Sequence, residues 1–185
     1  MIQLYQKITQ LSVLELFIKN PYEQYYLREA SRTLKISPMT VKRAFDLLVQ
    51  ERLIVREEFK NQMLFRANMN SVAFKHLKTT YNLAWLEEKD VVDFLKEKLT
   101  GLSSLILYGS YAKGENDEKS DIDLLAISSS SKKKDHSLLN LLGRDTSLSI
   151  FTPAEWKEQA KKNKAFYLDV ITEGIILFGT RPVVV

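Results

Sequence analysis

The chain has 185 residues, 45% of them hydrophobic and 27% charged, a balance that suits a soluble globular protein of one or two domains. It contains no cysteine, which removes disulfides and thiolate zinc sites, and its two histidines, His76 and His136, are too few for a histidine-rich metal centre. No apolar run approaches membrane-spanning length and the amino terminus lacks a secretory pattern, so a cytoplasmic location without a membrane partner is expected. The net charge of +4 is unevenly shared: residues 1–80 hold 13 Lys+Arg against 7 Asp+Glu, and residues 81–185 hold 14 against 16. That asymmetry fits a first half that meets a polyanion and a second that carries a cation site, and it equally fits uneven solubilising charge.

Leu4, Ile8, Leu11, Val13/Leu14 and Phe17/Ile18 recur at helical spacing, which predicts one helix over 2–19, stopped by Asn20-Pro21. A second helix is expected over Leu27–Leu34, with Leu27, Ala30 and Leu34 inward. After a short turn at Lys35-Ile36, Ser37-Pro38 reads as a helix cap followed by a first-turn proline. The third helix runs to about Arg52 and buries Val41, Ala44/Phe45 and Leu48. Leu53–Val55 and Met63–Phe65 then suggest two short strands around a polar tip, Glu58–Gln62.

Across YYLREASRTLKISPMTVKRAFDLLVQERLI the order of these elements resembles a winged helix-turn-helix. The resemblance implies binding to duplex DNA. The third helix would enter the major groove, with Ser37 and Thr40 near phosphates and Lys42 or Arg43 reaching phosphates or base edges. Lys60, with Asn61 and Gln62 at the wing tip, would touch the backbone or the minor groove. The same fold also serves protein contacts or dimerisation, and a homodimer is left open.

Residues 71–99 lack proline and glycine and carry apolar positions from Val72 to Leu99, the pattern of one long helix or two in sequence around Glu87–Asp90. Three regions result: 1–70, a connector at 71–99, and 100–185. In the last, Leu105–Tyr108 reads as a buried strand that runs into Gly109-Ser110. Ten residues later Asp121-Ile122-Asp123 enters a second apolar run ending at Ile127. Strand alternation puts Asp121 and Asp123 on one face, about 7 Å apart, with Ile122 and Leu124 on the other. Two carboxylates beside a Gly-Ser turn suit a divalent cation and phosphate. The combination arises by chance on the order of once in several hundred chains of this length. No Gly-Lys-Ser/Thr follows the glycine, so it is not a Walker loop.

Ser128–Lys134 is a low-complexity Ser/Lys tract, read as a loop whose lysines either close over a triphosphate or stay solvated. Thr146–Thr152 is a strand candidate. Pro153 opens a helix expected to continue through Trp156 and Phe166 to about Thr172, before a last strand at Ile175–Phe178.

Gly109, Ser110, Asp121 and Asp123 resemble the signature of the DNA polymerase beta-type nucleotidyltransferase superfamily, and of its minimal nucleotidyltransferases in particular. The likeness covers approximately residues 100–180 and includes the ending Ile171-Thr-Glu-Gly-Ile-Ile-Leu-Phe-Gly. It implies an α+β protein with a small mixed sheet flanked by helices. It implies transfer of a nucleoside monophosphate, AMP from ATP or another NTP, to an acceptor hydroxyl with Mg²⁺ or Mn²⁺. By residue, Gly109 would admit the triphosphate, Ser110 would bond a phosphate oxygen, and Asp121 and Asp123 would hold metal as the catalytic acids. Lys113 would offset the triphosphate charge, or sit in a solvated loop among Glu115, Asp117 and Glu118. Some minimal nucleotidyltransferases adenylylate partner toxins, so an acceptor protein such as a toxin is one expectation and a small molecule another. The pattern departs at the third carboxylate, where Ser149 stands, and Asp145 could substitute only if the strand reached back to it. The competing expectation is therefore a transcriptional regulator that uses this fold to sense nucleotide or to dimerise.

Overall fold

The computed structural model describes residues 1–129 and 137–184. The chain divides into two compact units, Met1–Ala84 and Trp85–Val185. The lysines of the Ser/Lys tract and His136 lie outside the described residues, and His76 is exposed.

In the first unit the single helix expected over 2–19 is two, α1 (Ile2–Lys7) and α2 (Thr9–Lys19). Ile8 is extended between them (φ −101°, ψ 115°), and the Ser12 hydroxyl donates to the Tyr5 carbonyl across the break. Both pieces bury apolar residues, Ile2 and Tyr5 on α1, Val13, Leu14, Phe17 and Ile18 on α2. Hydrophobic spacing alone therefore carried no mark of the interruption. β1 (Tyr25–Tyr26) leads into α3 (Leu27–Leu34), which Lys35 ends in the left-handed conformation. Ser37 caps α4 (Pro38–Gln50) by accepting the Thr40 amide.

The hairpin exceeds its expected length, with β2 (Ile54–Phe59) and β3 (Gln62–Ala67) paired antiparallel through six residues each. Lys60 and Asn61 form the whole turn. Both have positive φ (48° and 61°), the twist that lets two residues join right-handed strands. β1 joins the other side of β3, giving the order β1-β3-β2; two residues offer no alternation from which to foresee it. Phe45 of α4 ties the layers together, its ring 5.5 Å from Phe17 and 4.4 Å from Phe65. Lys78 of α5 (Val72–Glu88) is 1% exposed and donates to the Ile18 carbonyl near the end of α2.

α6 (Val91–Lys98) follows Asp90, whose positive φ of 51° separates it from α5. Then come β4 (Ser104–Tyr108), α7 (Gly109–Lys113), β5 (Ile122–Ile127), α8 (Ser137–Leu142), β6 (Thr146–Phe151), α9 (Pro153–Lys162), α10 (Lys164–Glu173) and β7 (Ile175–Gly179). The strands form one sheet in the order β6-β5-β4-β7. β5 and β6 run parallel and the other pairs antiparallel, so the sheet is mixed and the chain is α+β.

The helix expected from Pro153 to Thr172 is also two. Asn163 leaves the helical region (φ −130°, ψ 68°), ends α9, and caps α10 by accepting the Phe166 amide. This turn lets α10 take its own direction over the sheet. Ile106, Leu125, Ile127, Trp156 and Val170 make one core, against which Tyr108, Phe151, Phe166 and Tyr167 pack. No helix among the described residues is long and apolar enough to cross a membrane.

Candidate active site

Ile122 and Leu124 are fully buried, whereas Asp121 is exposed and Asp123 half-buried. Alternation along β5 gives Asp123 the face opposite Ile122 and Leu124, and Asp121 stands exposed one residue before the strand. Antiparallel pairing sets Tyr108 beside Asp123, and parallel pairing sets Ser147 beside it on the other side. Tyr108, Asp123 and Ser147 form a row across three strands. One step along the same face, Ile106 and Leu125 begin the core under α9 and α10. The acids thus occupy the end of a face whose remainder is dry.

Gly109 stands at this end. A β-carbon there would lie 2.3 Å from Asp123 Oδ2 and 3.1 Å from its Cγ, and the residue has a φ of +69°. The left-handed conformation favours glycine, and any larger residue would also make the Asp123 carboxylate shift. The Gly-Ser corner and the acid pair, separated in sequence, therefore meet. Ser110 follows on α7, half-buried. In the spacer between them Glu115, Glu118 and Lys119 are exposed, and hydrogen bonds close a turn before Asp121. Asp117 accepts from the Lys119 amide and the Ser120 hydroxyl, both at 2.9 Å, and Ser120 Oγ accepts the Asp117 amide at 2.9 Å. Hydrogen bonding from Ser120, then from the Lys119 amide, holds the Asp117 carboxyl below its ordinary range. Arg144 donates to the Tyr111 hydroxyl and the Glu118 carbonyl.

Burial, then the negative charges of Asp121 and Asp169, push the Asp123 carboxyl above its ordinary range. Asp169, on α10, was not anticipated; its helical spacing from Phe166 was visible, but not where that face packs. Lys113 pairs with it at 2.7 Å, so the candidate triphosphate lysine is engaged by a carboxylate. That hydrogen bond raises the Lys113 ammonium above its usual value, outweighing a smaller lowering by burial. On β6, Ser149 shares the face of Ser147, and the Tyr108 phenol lies within hydrogen-bonding reach of both. Burial raises that phenol, more than those hydroxyls lower it. Asp145 comes one residue before β6, and its carbonyl accepts the Ile122 amide at 3.0 Å, so the pairing with β5 reaches back to it.

A divalent ion suits this donor set. Asp121 and Asp123 supply hard oxygens in a crowded negative field that a cation would relieve. Among the described residues no three acids or histidines converge to hold an ion by themselves. A pair of carboxylates completed by substrate phosphates is the usual magnesium arrangement.

The family model described as "Nucleotidyltransferase domain" matches residues 88–182, just over half of the chain. The chain belongs to the nucleotidyltransferase domain family. It is 32% identical over 93 residues to "Putative protein adenylyltransferase MJ0604" of Methanocaldococcus jannaschii, a match covering 49% of this chain and 93% of that protein. To "Putative protein adenylyltransferase MJ0141" of the same organism it is 48% identical over 40 residues, 22% of this chain and 37% of that one. The solved structure described as "Crystal structure of the toxin-antitoxin with AMP-PNP" aligns with 51% of this chain and 74% of its own, at 22% identity and a TM-score of 0.39.

Two outcomes follow from the geometry. Gly109→Ala, forced into a left-handed conformation against Asp123, should cost about 1–3 kcal/mol by denaturant unfolding. It should also lose the thermal stabilisation that Mg²⁺ or Mn²⁺ gives the unaltered protein. In metal-free buffer Asp123→Asn should melt higher than wild type at neutral pH. The folded state holds the Asp123 proton more tightly than the unfolded chain does, so its contribution to stability falls as pH rises through the carboxylate range. The gap should close on acidification, as read from melting curves across pH.

Proposed function

We propose that the second unit transfers AMP from ATP to a hydroxyl of a protein partner, with Mg²⁺ or Mn²⁺ held by Asp121 and Asp123. The observation that carries this reading is the contact of Gly109 with the Asp123 carboxylate. It brings a backbone without a side chain, a serine and two acids to one end of the sheet. Similarity to proteins named as protein adenylyltransferases supports AMP as the group and protein as the acceptor.

Phosphoryl-group transfer asks a protein mainly to position reactants and neutralise charge. When bound, the metal would offset charge on the triphosphate and polarise the phosphorus under attack. Asp121 and Asp123 would hold it at the start of β5. Gly109 lets the Asp123 carboxylate approach the corner, and Ser110 offers a hydroxyl to a phosphate oxygen. Lys113 stands one helical turn beyond, its charge shared with Asp169.

A second reading has its own support. β6 presents Ser147 and Ser149 with the Tyr108 phenol against them, where the family resemblance calls for an acid. A site so built would bind nucleotide and transfer it poorly, as a sensor. Purified protein, Mg²⁺ and cell extract should therefore be incubated in parallel with ATP labelled at the α- or the γ-phosphate. Protein-bound label from the α position only, abolished by Asp121→Ala, is the expected result. Label from neither, with ATP still bound, favours the sensor.

For the first unit we propose a winged helix-turn-helix that binds duplex DNA. Met39, Lys42, Arg43 and Asp46 are exposed along α4, and Lys60 and Asn61 form the tip of the β2–β3 turn. Ser37 and Thr40 hydrogen-bond through their hydroxyls at 2.8 Å beside the start of α4. Lys42 pairs with Asp46 at 2.8 Å, leaving Arg43 the better placed cation. Arg43→Ala should weaken duplex binding and reduce the slope of log K against log salt by about 1, without lowering thermal stability. Unchanged affinity would take α4 out of the interface.

A further inference from the structure

The missing strand carboxylate leaves the proposed transfer without a group to receive the acceptor's proton. Ser147 and Ser149 cannot do so at neutral pH. Among the described residues Asp145 is exposed just before β6, while Asp169, on α10, is the acid whose charge acts with that of Asp121 on Asp123. Phe166 and Asp169 lie three residues apart, hence on one face of α10. The Phe166 ring meets the Tyr108 ring edge-on at 5.6 Å, and Asp169 Oδ1 meets Lys113 Nζ at 2.7 Å. These two contacts set that face of α10 against the ends of β4 and α7, beside Asp123 and Gly109.

The helix is seated firmly. Asn163 caps its start, and Arg181 donates to the carbonyls of Ile171 and Gly174 at its end. A β-carbon at Gly174 would fall 2.7 Å from Ile106 Cγ2, so the helix end lies hard against β4. Asp169 is close enough for its charge to act on both Asp123 and Tyr108. Yet no three acids among the described residues converge on one ion. Its place is beside the metal pair and outside it. With 38% of its side chain exposed, it is open to a molecule arriving from solvent, and a pair exposed to this degree adds little to folding.

We propose that Asp169, supplied by α10 in place of an acid on β6, is the carboxylate that activates the acceptor hydroxyl, with Lys113 fixing its orientation. This rests on the transferase reading above. The acceptor oxygen attacks the α-phosphorus of ATP and forms the new O–P bond. The bond from the α-phosphorus to the bridging oxygen breaks, and its electron pair leaves with pyrophosphate. The acceptor's proton passes to the Asp169 carboxylate, whose Oδ1 is held by Lys113 while the other oxygen receives it.

Water can stand in for the unidentified acceptor. Pyrophosphate release from Mg-ATP should be measured for wild type, Asp169→Asn and Asp169→Glu. Binding of α,β-methylene-ATP and melting curves should be recorded for each. Asp169→Asn preserves the shape and a hydrogen bond to Lys113 but cannot take a proton. Its turnover should fall by about 100-fold or more while analogue affinity stays within about twofold. Asp169→Glu should recover part of the loss. Undiminished turnover in Asp169→Asn overturns the proposal alone, as does a fall in analogue affinity that matches the fall in rate. Wild-type protein that binds the analogue but releases no pyrophosphate overturns the transferase reading, and this proposal with it.

Discussion

An Asp123 carboxylate oxygen lies 2.3 Å from where any other residue at position 109 would place its β-carbon, and this closeness depends on how the strands around it are paired. To bring Gly109 against Asp123, β4 and β5 must pair in the register that sets Tyr108 opposite Asp123. The chain must then reverse within the residues between them. The spacer achieves this with its own hydrogen bonds, Asp117 and Ser120 closing the turn before Asp121. Sheet pairing, spacer and corner are therefore parts of one constraint.

The same constraint concentrates negative charge. Burial, then the charges of Asp121 and Asp169, make the charged form of Asp123 costly, while Lys113 pairs with Asp169. Carboxylates held in this way are common in sites shaped for a charged ligand. The dry core a single strand step away, with Leu125 and Val170 buried, supplies the rigidity that keeps such groups together.

Much of this was legible in the residues. Asp121 and Asp123 alternate with Ile122 and Leu124 in the plainest strand pattern of the chain, and Gly109-Ser110 punctuates the strand before it. Ser37-Pro38 marked the start of α4 by capping chemistry alone. What escaped had no local signal. Ile8 and Asn163 interrupt helices whose apolar spacing continues on both sides, because each half buries its own stripe. The hairpin tip was expected within Glu58–Gln62, but not that Lys60 and Asn61 alone would form it, both at positive φ. Asp169 looked like any charge on a helix until packing set Phe166 against Tyr108.

The placement of α10 has a less obvious side. Arg181, well outside the helix, grips the carbonyls at its carboxyl end, so the segment after β7 acts as a brace on a unit whose chemistry it never touches. Loosening that brace would let the helix fray from its last turn inward, toward Asp169. The position of Asp169 and the integrity of the tail would thereby become linked.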